Sequence, residues 1–146
     1  MGFPATPSLT VDCIVIDAAD RVLLIRRGHP PFVGAYAIPG GFVDVGETVE
    51  DACRRELLEE TGVKAGKLHL LGVYSDPKRD PRGHTCSVAF LTRLKRAAAV
   101  AGDDAAAVEW VPLARRTRMA FDHGKILQDA RRMLRQMQDK KESSTS

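Results

Sequence analysis

The stretch from Pro39 to Val63 constrains this chain more than any other part of it. It opens on a breaker cluster, Pro39-Gly40-Gly41, passes through Gly46-Glu47, and then reads as a helix. Thr48 with Asp51 three positions on gives a capping-box-like start, and Gly62 gives a C-terminal stop. At about 100° per residue, Val49, Ala52, Cys53, Glu56 and Glu60 fall on one side of that helix, with Glu59 next to them. The apolar start of the face packs inward, so the same face carries the three glutamates toward the protein. Carboxylates this close, if partly buried, take up protons or unfold the helix end unless something offsets them. Arg55 can pair with Glu59 or Asp51 at four-residue spacing, but one arginine does not offset three carboxylates. Hard divalent cations bound by oxygen would, which predicts Mg²⁺ or Mn²⁺. Charged residues at this spacing also occur on solvated surface helices, so the glutamates alone leave that alternative open. The residues ahead of the helix favour the cation: Gly40-Gly41 lets the backbone approach a ligand and turns a carbonyl toward the cluster, and Glu47 adds a fourth carboxylate.

Around this helix the chain alternates strands and breakers. Residues 9–17 and 21–27 are β-rich runs joined by Ala18-Ala19-Asp20, which predicts a hairpin. A short strand is expected over 35–39. Residues 68–74 and 85–94 read as strands on either side of a charged loop, S-D-P-K-R-D-P-R-G-H, and 108–111 as another short strand. The alanine-rich 97–107 reads as a mobile loop, with a helical turn as the alternative its alanines allow. A second helix is expected over 121–138, with Ile126, Leu127, Ala130, Met133, Leu134 and Met137 forming a core-facing stripe. The pattern predicts an α/β fold with a mixed β-sheet, since a hairpin excludes a purely parallel one. The 146 residues suit a single domain, with 1–7 and 140–146 as disordered tails.

No run approaches the roughly 20 apolar residues of a membrane span, and the N-terminus lacks the features of a secretory signal. Cys13, Cys53 and Cys86 are scattered through apolar runs, which reads as three buried thiols in a reducing compartment and so a cytoplasmic protein. The net charge of +3 is mild, and its basic excess lies in the last third of the chain without interleaved aromatics. That reads as the solvated face of the second helix, with neither nucleic acid nor membrane as a partner.

Taken together, Gly41, Glu47, Arg55, Glu56, Leu57, Glu59, Glu60, Gly62 and Val63 match every fixed position of the box that marks the Nudix hydrolases, which the chain resembles. The resemblance implies an α/β/α sandwich and metal ligation by Glu56, Glu59 and Glu60, with the Gly40 carbonyl assisting and Arg55 orienting the glutamates. Beyond the box, PGGFVDVGE, SDPKRDPRGH and AFDH resemble the ADP-ribose pyrophosphatase branch, which implies a nucleoside diphosphate substrate and a homodimer. Related sensor domains of that branch carry a DNA-binding domain, and none is expected after the last helix here.

In the charged loop, Arg79 and Arg82 are candidates for phosphate contacts, and Asp76, Asp80 and His84 for the rest of the substrate. Arg26 and Arg27 end the second strand, and alternation allows only one of them, taken as Arg27, to reach the site. Phe32 and Tyr74 could stack on a base but are expected in the core, and His123 as a helix-cap or core residue. The general base is expected at Glu59, with Glu47 and the loop residues Asp103 and Asp104 as alternatives.

Overall fold

The computed structural model describes residues 2–95 and 107–145. Its elements are β1 (Ser8–Ile16), β2 (Arg21–Arg26), β3 (Tyr36–Ala37), β4 (Gly40–Phe42), α1 (Val49–Thr61), β5 (His69–Tyr74), β6 (Thr85–Arg93), β7 (Ala107–Pro112) and α2 (His123–Thr145). The strands form one sheet in the order β3-β2-β1-β6-β5, with β4 also paired to β1 and β7 to β2. β1 and β6 run parallel from Ser8↔Thr85 to Ile16↔Arg93. The other pairings are antiparallel, so the sheet is mixed as the hairpin required.

The two helices cover opposite faces, and the alternation in β1 shows why. Ile14 and Ile16 join a core cluster with Ile126, Ala130 and Leu134 of α2. Val11, Cys13 and Val15 join another with Ala52, Cys53 and Leu57 of α1. Side chains of a strand point alternately to its two faces, so a strand covered on both must be apolar throughout. This is the expected α/β/α sandwich.

β1 meets β2 at Ile16↔Val22, then takes β4 as its neighbour at Thr10↔Phe42, Val11↔Gly41 and Asp12↔Gly40. The divergence of β1 from the far end of β2 opens a cleft of about 530 Å³, walled by Thr10, Asp12, Ile25 and Arg27 among others. Of the strand expected over 35–39 only Tyr36–Ala37 forms, as β3, and Gly40-Gly41, expected as the breaker that ends it, opens a further strand, β4. Pro39 stands between them, where a missing N–H breaks the ladder.

Three expectations need correction. Cys13 and Cys53 are joined by a disulfide, with their Cα atoms 6.0 Å apart. β1 and α1 pack face to face and bring the sulfurs together across 40 residues of sequence, which spacing alone does not reveal. Cys86 alone keeps its thiol, so the cysteines no longer argue for a reducing compartment. α2 runs past 138 to Thr145, because Lys140, Lys141 and the residues after them include no glycine or proline to stop it. Arg26 and Arg27 both reach the cleft wall, because β2 ends at Arg26 and strand alternation no longer governs Arg27. The loop expected over 97–107, with Asp103 and Asp104, lies outside the described residues except for Ala107, which starts β7. No helix among the described residues is long and apolar enough to cross a membrane.

Candidate active site

The helix that carries the glutamates is fixed at both ends by local chemistry. The Thr48 hydroxyl oxygen accepts from the Asp51 N–H at 3.1 Å. Gly62 takes φ 71° and donates its N–H to the Leu58 carbonyl. A left-handed residue of this kind closes a helix with least strain when it is glycine. Ala52, Cys53, Leu57 and Thr61 are buried, which fixes the rotation of α1. Glu56 and Glu60 then face the cleft, while Glu59 lies at its edge with its side chain 60% exposed.

Arg55 organises the carboxylates. Its Nε and Nη2 donate to the two Glu47 oxygens at 2.7 and 2.9 Å. Its Nη1 donates to Glu56 at 2.9 Å and to Glu59 at 3.2 Å. Its Nη2 also reaches the Phe42 carbonyl at 3.0 Å. The Arg55 hydrogen bonds, first of all, and the Asp44 N–H hold the Glu47 carboxyl down at about 2. A carboxylate held so far below neutrality, with both oxygens engaged, is a weak base.

Glu60 is in the opposite state. Burial above all, then the hydrogen bond it shares with Glu56, push its carboxyl up to about 9, against the pull of the Gly40 amide. A proton there does the work of offsetting charge on the pair. Among the described residues no three His, Cys, Asp or Glu side chains converge as a finished metal cage. The donor chemistry nevertheless fits a hard cation. Glu56 and Glu60 are paired carboxyls at a cleft, Glu59 is within a side-chain rotation of them, and every candidate donor is oxygen. Gly41 leaves the room they need: a Cβ there would lie 2.6 Å from the Glu56 carboxyl carbon.

The same cleft is also lined by cations. Arg27 lines the cleft and donates from Nε to the Pro31 carbonyl at 2.7 Å. Arg82 is tied to Asp80, with Nε at 3.1 Å and Nη2 at 2.9 Å from its oxygens. Burial works against the Asp80 charge, and the Arg82 contacts outweigh it, so its carboxyl sits below the ordinary range.

Arg79 is spoken for within the protein. Its guanidinium, 6% exposed, makes two bonds to Asp122 at 2.9 and 2.7 Å and one to the Thr85 hydroxyl at 2.7 Å. It pins the charged loop to the start of α2. Removing the enclosed guanidinium leaves the part-buried Asp122 without its charge partner, so Arg79→Ala should cost about 2 kcal/mol or more in urea unfolding. A loss below about 1 kcal/mol would place Asp122 in water instead.

Asp76 and His84 brace the same loop and do not line this cleft, and His84 lines a second hollow beside it. Asp76 accepts from the Lys78 N–H at 2.8 Å, and the His84 Nε2 lies 2.9 Å from the Ser75 carbonyl oxygen. Of the candidate residues, then, Gly40, Glu56, Glu59, Glu60, Arg27, Arg79, Asp80 and Arg82 meet at one cleft. Glu47 and Arg55 stand behind the glutamates. Asp104 lies outside the described residues. Tyr74 belongs to the core side, donating to Asp129 of α2 at 2.7 Å, while Phe32 sits half-exposed against Phe121.

Asp12 at the floor of the cleft was invisible in sequence, where it is one polar residue in an apolar strand. It is buried, accepts from the Ser87 hydroxyl at 2.5 Å, and lies 3.4 Å from the His123 Nε2. His123 is buried as expected. Its Nδ1 accepts from the Ile38 N–H at 3.0 Å, which puts the ring proton on Nε2, and burial keeps the ring neutral by lowering its pKa.

Fold and site together define a class: an α/β/α domain in which one helix supplies a carboxylate cluster for divalent-metal chemistry on phosphates. Residues 6–130 match the model of the NUDIX domain, and the chain belongs to that family. It is similar to an ADP-ribose pyrophosphatase of Methanocaldococcus jannaschii, with 48% identity over 84% of this chain and 72% of the relative. An ADPR-responsive transcriptional repressor of Acinetobacter baylyi shares 32% identity over 86% of this chain, which spans 53% of that longer protein. Among solved structures, the NUDIX domain of Shewanella oneidensis NrtR, complexed with ADP ribose, superposes with a TM-score of 0.83. That match has 31% identity and covers 89% of this chain and 90% of the other.

Proposed function

We propose that this Nudix pyrophosphohydrolase cleaves ADP-ribose to AMP and ribose 5-phosphate. The observation that carries the reading is a single cleft lined both by a glutamate pair and by the guanidiniums of Arg27 and Arg82. The similarity to the archaeal pyrophosphatase supports the same substrate. A second hollow of about 580 Å³ adjoins the first and shares Phe42, Asp80, Arg82 and Thr85 with it. Two joined hollows suit a molecule with a bulky group at each end of a diphosphate better than a triphosphate with one.

In this reading Glu56, Glu59 and Glu60, with the Gly40 carbonyl, hold Mg²⁺ or Mn²⁺. When bound, the cation supplies Lewis-acid polarisation of the diphosphate and makes water more acidic. Arg27 and Arg82 bind the diphosphate oxygens. Arg55 keeps Glu56 and Glu59 aimed while holding its own place through Glu47. Glu59, the most exposed of the three glutamates, takes the proton of the attacking water. The water oxygen forms a new bond to one phosphorus, the bond from that phosphorus to the bridging oxygen breaks, and the other phosphate leaves with the bridge.

The test is a panel of ADP-ribose, NADH, a diadenosine compound and nucleoside triphosphates, each with and without magnesium. ADP-ribose should give the highest kcat/KM by tenfold or more, about 1.4 kcal/mol of transition-state preference, and only with the metal. A triphosphate turned over faster would move the assignment to another Nudix substrate class. Binding of ADP-ribose with no turnover under any condition would make the chain a sensor.

A further inference from the structure

Phe121 stands between β7 and α2, and its backbone is left-handed, with φ 54°. That conformation is uncommon for a bulky side chain, and in folded proteins such strain gathers at functional sites. The turn directs the ring into the cleft wall. The Phe32 ring meets it edge-on, with centroids 5.1 Å apart and planes at 68°. Two guanidiniums lie over the same ring, Arg27 with Cζ at 5.0 Å and Arg82 with Cζ at 5.4 Å from its centroid.

Two cations on one ring repel each other. Burial is the main force against the Arg27 charge, and the nearness of Arg82 is the next. Asp80 offsets part of this through its two contacts with Arg82. Arg27 is held from behind by the Pro31 carbonyl. The ring face adds the attraction of its negative quadrupole to both guanidiniums, beside the Asp80 carboxylate, whose charge also favours both. An aliphatic side chain could fill the space beside Ala35, Ala37 and Ala120 but would hold neither cation. Paired guanidiniums kept together at a cost attract an anion that can bridge them, and a diphosphate offers two adjacent phosphates.

We propose that Phe121 is a positioning residue that gathers Arg27 and Arg82 into a single clamp for the diphosphate. The inference rests on the diphosphate reading of the cleft, but its test does not need catalysis. Inorganic pyrophosphate is titrated calorimetrically into the full chain in EDTA, for wild type, Phe121→Leu, Phe121→Tyr, Arg27→Gln, Arg82→Gln and two double variants, Arg27→Gln with Arg82→Gln and Arg82→Gln with Phe121→Leu. Leucine should weaken binding about tenfold, consistent with two lost ring–cation contacts, while tyrosine, which keeps the ring, should stay within about twofold. Leucine added to Arg82→Gln should cost little more than either change alone, because both disable one device. Thermal unfolding of each variant separates lost packing from a lost clamp.

Wild-type affinity in Phe121→Leu, failure of tyrosine to restore it, or strictly additive losses would overturn the proposal. Should leucine prevent folding, the Arg27→Gln and Arg82→Gln pair carries the test, since independent contacts add and one clamp does not. Pyrophosphate binding that depends on Phe121 in a chain inactive toward ADP-ribose would reject the proposed reaction and keep the clamp. Wild type without pyrophosphate affinity would reject the clamp whatever the chain hydrolyses.

Discussion

Glu60→Gln should lower the turnover of ADP-ribose by about 100-fold or more, the scale of losing one strong electrostatic contact to a transition state. The same change should make the cation-free protein less sensitive to pH. Glu60 carries a folded-state carboxyl near 9 against an ordinary value of 4.5. The folded state therefore binds more protons than the unfolded one between those limits. Its stabilising effect is fully present below about 4.5 and is lost as pH rises through about 9. Wild type should lose stability over that window by at most about 1.4 kcal/mol per pH unit, and glutamine should flatten the slope. Saturating magnesium should flatten it as well, because a cation replaces the proton on the carboxylate pair and releases it to solution. Chemical unfolding at several pH values, with and without magnesium, reads all of this. A variant with near-normal turnover would remove Glu60 from the metal site.

The second large effect separates two adjacent glycines. A Cβ on Gly40 would overlap the Val11 carbonyl oxygen and lie 3.0 Å from the Asp12 carboxyl. The oxygen belongs to the backbone of β1, which is held between β4 and β6 and cannot withdraw. Gly40→Ala should therefore cost about 3 kcal/mol or more of stability, at the upper end of an overpacked core. A Cβ on Gly41 instead meets the Glu56 carboxyl, whose oxygens would be 2.7 Å away. A side chain can rotate aside, so Gly41→Ala should leave the unfolding temperature nearly unchanged and cut turnover about 100-fold by displacing Glu56. Thermal unfolding and kinetics on the two variants give opposite patterns if the geometry is right. Equal effects on stability would mean that β1 and β4 can separate at this point.

Much of the site was legible because its signals are local. The Thr48 cap, the Gly62 stop and the apolar positions of α1 each depend on residues within a turn or two, and together they set which way Glu56 and Glu60 face. The apolar runs of β1 and β2 marked strands, and in the structure the alternation in β1 divides its residues between the two helices. The same reasoning did not separate Glu59 from its neighbours. It shares their face by angle, yet Arg55 and the edge of the cleft leave it 60% exposed while Glu60 is enclosed.

The rest depended on which distant segments meet. Arg79 looked like a phosphate ligand by composition, but the loop packs it against Asp122, 43 residues away, and the pair turns it into a structural pin. The Cys13–Cys53 link needs β1 against α1. Asp12 joins the cleft because β1 and β2 part beside it. Phe121 joins because a left-handed residue turns its ring between two arginines from different loops. Sequence by itself determined the helix, its carboxylates, the mixed sheet and the family, since hydrophobic period and capping act over a few residues. Tertiary structure decided which charges pair and which remain for a ligand, because an ion pair or a ring contact is set by distance in space, and chain spacing carries no record of that distance once strands cross.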